Sequence, residues 1–137
     1  GAGKDICIIT YGNGYYLSRK AEKILAEQGI SCRIVDLRWL APLDEQGIIE
    51  QAQQCKNILI VDECRQTGSI SEALMTLLQE NIAPTSLEAE RITAQDCFIP
   101  LGAAAYHVLP SVTEIVDVAT RIMSSEIRPQ VNLKRVK

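Results

Sequence analysis

The sequence predicts a three-layer α/β/α domain built on a mostly parallel sheet of four or five strands. Three observations lead there. Short apolar runs alternate with segments of helical periodicity along the whole chain. Runs such as "CIIT" and "ILIV" are apolar at every position, as strands covered on both faces must be. The helical segments between them suit right-handed crossovers joining parallel strands.

"DICIITYG" (5–12) reads as the first buried strand. "YYLSRKAEKILAEQG" (15–29) places Leu17, Ala21, Ile24 and Leu25 on one helical face, with Gly29 as a C-terminal stop. "SCRIVDL" (31–37) is the second strand. The helix of "PLDEQGIIEQAQQC" follows, with Asp44 as its cap and Leu43 stapled against Ile48. "NILIVDE" (57–63) is the third and most apolar strand. In "SISEALMTLLQENI", Ser69 and Glu72 have the spacing of a capping box, and Ile70, Ala73, Leu74, Leu77 and Leu78 form an apolar stripe. "SLEAERIT" (86–93) is a partly polar strand that suits a sheet edge. Ser111 and Glu114 repeat the capping-box spacing before a stripe of Val112, Ile115, Val116, Ala119 and Met123. The linker before Pro110 has room for one more short strand. Residues 1–125 form the expected domain, and 126–137 an extended or disordered basic tail with four basic residues and one acid.

Bulk properties narrow the function. A chain of 137 residues suits one domain with a real core, and with only 4% aromatics that core must be aliphatic. The net charge of -3 argues against nucleic acid as the main partner. No apolar run approaches the roughly 20 residues of a membrane span, and "GAGKD" is not a signal peptide. The five cysteines, at 7, 32, 55, 64 and 97, include no C-x-x-C pair. They read as buried, reduced thiols of a cytoplasmic protein.

No motif makes a self-sufficient active site. In "YGNGYYLSRK" the third glycine of a dinucleotide-binding loop is replaced by Leu17, and Asp36 runs into "LRWL" rather than an open crevice. His107 is the single histidine, no G-x-S-x-G elbow accompanies it, and no metal-ligand spacing is present. "VDECRQTGSISEAL" (61–74) places Asp62 and Glu63 side by side at a strand end. Strand alternation sends adjacent side chains to opposite faces, so they do not form an acid/base pair. With one glycine and no lysine, the loop is no Walker-type phosphate cradle. A solvated corner and a contact surface both remain open there.

The ordered motifs "KDICIITYGNG", "GISCRIVDLRWLAPLDEQGIIE", "NILIVDECRQTGSISEAL", "RITAQDCFIP" and "LPSVTEIVDVA" resemble one family over residues 4–123. It is the C-terminal domain of the transketolase-like superfamily, in particular the beta-type part of thiamine diphosphate-dependent components of 2-oxo acid dehydrogenase complexes. That group includes pyruvate, branched-chain 2-oxo acid and acetoin dehydrogenases. The resemblance implies a five-stranded sheet with one antiparallel strand. It implies that thiamine diphosphate and magnesium bind in other domains of the parent enzyme, one of which would precede Gly1. This domain would bind no cofactor or metal and supply no catalytic residue. Its implied partners are those other domains, a second beta-type chain and the lipoyl acyltransferase core. Family-signature and interface candidates are Tyr11, Gly12, Asp36, Arg38, Pro42, Asp62, Glu63, Thr67, Gly68 and Pro100. Two departures stand out. Ser69 occupies the place of a second glycine found in many relatives and can cap the following helix. The run "CFIPLGAAAYHVLP" is less polar than usual and is similar to forms with alpha-type and beta-type parts fused. Two other readings compete: a stand-alone nucleotide- or anion-binding module using "GNG" and Thr67-Gly68-Ser69, and the C-terminal domain of another superfamily member, such as transketolase or a deoxyxylulose-phosphate synthase. "PLDE" and "DCFIP" favour the dehydrogenase branch.

Overall fold

A computed structural model of the chain describes residues 1–83 and 88–125. In order, the elements are β1 (Ile6–Thr10), α1 (Gly12–Glu27), β2 (Cys32–Asp36), α2 (Glu45–Ala52), β3 (Asn57–Arg65), α3 (Ile70–Asn81), β4 (Glu88–Ala94), a 3-10 helix (Gly102–His107) and α4 (Val112–Ser125). The four strands pair in the order β2-β1-β3-β4, every pair parallel. This is the expected α/β/α architecture with one correction. Among the described residues the sheet has four strands, not five, and none is antiparallel. The linker before Pro110 does not hold a strand. Its backbone closes into the 3-10 helix, with the Val108 and Leu109 N–H groups both reaching the Ala105 carbonyl. The expected basic tail lies outside the described residues.

Strand alternation sorts the core into two halves. Ile6 and Ile8 of β1 and Leu59 and Val61 of β3 face α1 and α4, where they meet Ala21, Leu25, Ile115, Ala119 and Ile122. Cys7 and Ile9 with Ile58 and Ile60 face the other way, onto Ile48, Ala52, Leu74 and Leu78 of α2 and α3. Each fully buried Ile or Leu contributes roughly 1.5–3 kcal/mol of transfer free energy, so both faces are needed to hold the sheet. β4 lies at an edge, which explains its exposed Glu88 and half-buried Glu90 and Arg91.

Helix ends follow the sequence closely in places. Asp44 accepts the Gly47 N–H at 3.0 Å, and Leu43 packs with Ile48 in the same core half. Ser111 accepts the Glu114 N–H at 3.1 Å. Gly29 takes φ of 79° just past α1, the left-handed conformation that favours glycine. The apolar stripes are less exact. Ile24 is 40% exposed, and Ile122 rather than Met123 completes the buried face of α4. Nor are all five thiols buried. Cys7, Cys32 and Cys55 are, and desolvation raises all three, Cys7 and Cys32 to about 12, whereas Cys64 and Cys97 are exposed.

Helix α1 starts earlier than expected, at Gly12, because Gly14 lets it press against the sheet. A Cβ at Gly14 would overlap the Thr10 hydroxyl and lie 3.2 Å from the Val61 carbonyl oxygen. That hydroxyl already donates to the same carbonyl at 2.9 Å, so it has little room to yield. One turn on, the Ser18 hydroxyl is buried with no hydrogen-bond partner. Gly14→Ala should therefore destabilise the domain by roughly 2–3 kcal/mol through overpacking, while Ser18→Ala should be neutral or stabilise it by up to about 1 kcal/mol. Urea titrations of the two variants check both signs.

Candidate functional site

The chain runs from β1 outward to β2, then crosses back to β3 on the other side of β1. The crevice between the carboxyl ends of β1 and β3 is thus the topological switch point, where open α/β sheets usually bind ligands. Tyr11 follows β1, and Asp62 and Glu63 end the apolar part of β3, so sequence and topology direct attention to the same place.

Asp62 is fully buried. Its carboxylate accepts the Tyr11 hydroxyl at 2.5 Å, the Cys64 N–H at 2.8 Å and the Ser71 N–H at 3.0 Å. Burial alone would raise its pKa. Hydrogen bonds from Tyr11, Cys64, Ser69 and Ser71 outweigh that and hold the carboxyl below its ordinary range. Burial, with the Asp62 and Cys64 contacts, pushes the Tyr11 phenol upward, so it stays protonated and donates. The bond to Cys64 also shapes the strand: the β3–β4 register slips between Asp62 and Arg65, a bulge that leaves residues 63 and 64 out of the ladder before Arg65 pairs with Ala94.

Glu63 points to the opposite face, as alternation requires. Its carboxylate accepts the Asn13 N–H at 3.3 Å in the first turn of α1. The two adjacent acids thus serve two helices. Glu63 sits at the N-terminus of α1 and Asp62 at that of α3. Ser69 is not the side-chain cap its spacing suggested: its hydroxyl meets the Ser71 hydroxyl at 2.7 Å and makes no cap bond. Its place is taken by the buried carboxylate near the end of the preceding strand, nine residues before Ser71, which offers a full charge to the helix N-terminus. Glu72 does fold back, but onto the Gly68 N–H at 3.0 Å.

The loop after β3 is anchored by groups that sequence reasoning missed. Asp96 accepts both the N–H and the hydroxyl of Thr67, at 2.9 and 2.5 Å, and those bonds lower its pKa. Arg91 donates to the Gln66 carbonyl at 2.9 Å and the Ser71 hydroxyl at 3.1 Å. Gly68 has φ of 72°, the conformation this tight corner needs. Both residues stand in the run "RITAQDCFIP", which carries no local sign of a contact with the loop after β3.

The other expected residues divide. Gly12 opens α1 with φ of 55° beside Glu63. Asp36 pairs with Arg38 at 2.5 Å on the β2 edge, apart from the Asp62 network. Pro42 follows a cis peptide bond in the β2–α2 connection, and Pro100 lies in the loop after β4. His107 is exposed on the 3-10 helix. Among the described residues, no three metal-binding side chains converge, and no helix is long and apolar enough to cross a membrane.

Above the network lies an open cleft of about 600 Å³, lined by Tyr11, Glu63, Cys64, Ile70, Phe98 and Ile99 among others. Its chemistry is poor for a nucleotide phosphate. Both nearby helix N-termini, the usual anion sites, already hold carboxylates of the chain itself. What the arrangement does is hold an irregular strand end and its loops in one shape.

The model of the transketolase C-terminal domain family matches residues 1–115. The chain is 32% identical over 123 residues to the pyruvate dehydrogenase E1 component subunit beta of Bacillus subtilis, covering 88% of this chain and 38% of that one. It is 28% identical over 125 residues to a 1-deoxy-D-xylulose-5-phosphate synthase of Halothermothrix orenii, covering 84% and 20%. A solved split-gene transketolase, described as an inactive beta4 tetramer, superposes with a TM-score of 0.79 at 22% identity, covering 89% of this chain and 40% of that one. The chain thus spans about a fifth to two-fifths of the length of these curated relatives.

Replacing Asp62 strands the buried Ser71 N–H and two part-buried donors, the Tyr11 hydroxyl and the Cys64 N–H, at about 1–3 kcal/mol for a buried unsatisfied group and less for the others. Asp62→Ala should cost roughly 3 kcal/mol, and Asp62→Asn somewhat less. Because the folded-state pKa is depressed, the stabilisation is complete above the ordinary value of about 3.9 and is lost as pH falls through the folded-state value. In that window the unfolded state holds more protons, so stability rises with pH. Urea unfolding from acid to neutral pH should show a shallower acid limb in Asp62→Asn than in the wild type; parallel limbs would contradict the assignment.

Proposed function

The chain belongs to the transketolase C-terminal domain family, and from that premise we propose that it is the assembly domain of the decarboxylating, thiamine diphosphate-dependent component of a 2-oxo acid dehydrogenase complex. Residues 1–125 would hold beta-type chains together, pack against the other domains of the parent enzyme and help dock the lipoyl acyltransferase core. Thiamine diphosphate and magnesium would bind elsewhere in the parent.

The observation that carries this reading is the state of the switch-point crevice. A diphosphate with its cation needs free N–H groups, a lysine or arginine, and oxygen ligands facing a cavity. Here the first two turns on offer hold Asp62 and Glu63, and Tyr11 closes the space between the strands. The residues present do not fit the cofactor. The beta-subunit relative, 32% identical over nearly the whole chain, favours the dehydrogenase branch. The synthase relative supports a second reading, in which the same domain serves another thiamine diphosphate-dependent enzyme. Either way the signature residues in this corner, Tyr11, Asp62, Glu63, Thr67 and Gly68, would act by fixing the loop after β3.

Isothermal titration of the 137-residue chain with thiamine diphosphate and magnesium should give no binding heat. Micromolar affinity would overturn the reading. Affinity purification of the native protein from its source should recover 2-oxo acid-dependent NAD reduction; recovery of deoxyxylulose phosphate formation instead would select the second reading.

A further inference from the structure

Two of the five cysteines share one cleft. Cys64 and Cys97 are exposed, and both line the opening of about 600 Å³ at the carboxyl end of the sheet. They reach it from different strands. β3 and β4 are parallel neighbours whose last pair is Arg65 with Ala94. Cys64 stands just before that pair, in the bulge, and Cys97 lies three residues beyond it. The chain turns sharply as it leaves β4, where the Cys97 N–H donates to the Gln95 carbonyl at 2.8 Å. Asp96, at that turn, is tied to Thr67 by two hydrogen bonds, at 2.9 and 2.5 Å. The residue before Cys97 is thus fixed against the residue three beyond Cys64. Neighbouring strands lie about 4.8 Å apart, within the roughly 4.4–6.8 Å between Cα atoms that a disulfide spans.

The setting of these two thiols separates them from the other three. Cys7, Cys32 and Cys55 are buried, and desolvation holds them in the protonated, unreactive form. Cys64 is anchored: its Sγ lies 3.3 Å from the Tyr11 hydroxyl, which donates to Asp62. Cys97 is the more open of the pair. It also lines a second, shallower opening with Arg65, Thr67, Asp96 and Phe98, and the segment after it turns Phe98, Leu101 and Tyr106 out to solvent. Reversible thiol oxidation needs one accessible sulfur to take up oxygen and a second sulfur nearby to displace it. The cleft holds one of each.

We propose that Cys64 and Cys97 form a redox site, closed into a disulfide by hydrogen peroxide and reopened by a dithiol reductant. The Cys97 thiolate attacks one peroxide oxygen. The O–O bond breaks, Cys97 becomes a sulfenic acid, and the other oxygen leaves as hydroxide and takes the proton that Cys97 gave up. The Cys64 thiolate then attacks the Cys97 sulfur. The S–S bond forms, the S–O bond breaks, and the departing hydroxide takes the proton that Cys64 gave up. Two thiols are oxidised and one peroxide is reduced to two waters. A dithiol reverses the bridge by exchange and is itself left as a disulfide. The bridge ties the bulge of β3 to the loop after β4, so the oxidation state sets where Phe98 stands over the cleft. The site is independent of the assembly reading, and each can fail without the other.

Hydrogen peroxide added to the 137-residue chain should remove two of the five thiols titrated afterwards in denaturant, and dithiothreitol should restore both. Tryptic mapping of the alkylated, unreduced product should show residues 57–65 joined to residues 92–121, in a protein whose intact mass is that of one chain. Cys97→Ser should abolish the bridge. Cys64→Ser should stop at the sulfenic acid, trapped on Cys97 by dimedone. Both side chains are exposed, so thermal melts of the reduced variants should match the wild type and separate lost chemistry from lost folding. Bridging should run roughly tenfold or more faster in native buffer than in urea, because the fold holds the two thiols together. Retention of all five thiols overturns the proposal. So does a bridge to a buried cysteine, a bridge between two chains, or an equal rate in urea.

Discussion

One buried carboxylate organises the carboxyl end of this domain. Asp62 sits where an apolar strand stops, and its charge can be kept in the core only if donors converge on it. Three elements supply four of them. The residue after β1 gives a phenol, the bulge in β3 an N–H, and the start of α3 an N–H and a hydroxyl. The constraint works in both directions. The donors keep the acid ionised, and the ionised acid fixes how β1, β3 and α3 meet. Glu63, one residue on, repeats the arrangement more weakly on the opposite face with α1. A two-residue step along the central strand therefore sets both helical layers relative to the sheet.

That arrangement explains why a fold usually associated with ligand binding shows no ligand chemistry at its switch point. The helix N-termini there would otherwise attract anions. Carboxylates from the strand satisfy the same N–H groups and bring the wrong charge for a phosphate. Asp96 and Arg91 extend the bracing to the far side of the corner, so the loop from Gln66 to Ser69 is held from both flanks.

Local signals in the sequence revealed most of the frame. Alternation in "CIIT" and "ILIV" placed each strand residue on its face, and Asp44 and Ser111 cap the helices their spacing marked. The failures share one cause, distance along the chain. Ser69 looked like a cap because its partner positions were nearby, while the true cap is a strand residue reached only after folding. Tyr11 and Asp62 are 51 residues apart, and no periodicity announces a pair across that gap. The apolar run from Phe98 to Tyr106 has neither helical nor strand period, so it was legible as unusual but not as a surface. Cys64 and Cys97 look like the other thiols until the bulge and the loop carry them outward.

The separation of Glu63 from the helix it serves has a consequence for synthesis. Helix α1 has no side-chain cap at Tyr11 and no acid in its first turn. Its nearest external partner is 50 residues further along the chain. A ribosome making the protein from its N-terminus releases α1 before it releases Glu63. Until then the first turn of α1 has unpaired N–H groups and frays. The domain thus matures in reverse at this point: the third strand has to arrive before the first helix is finished.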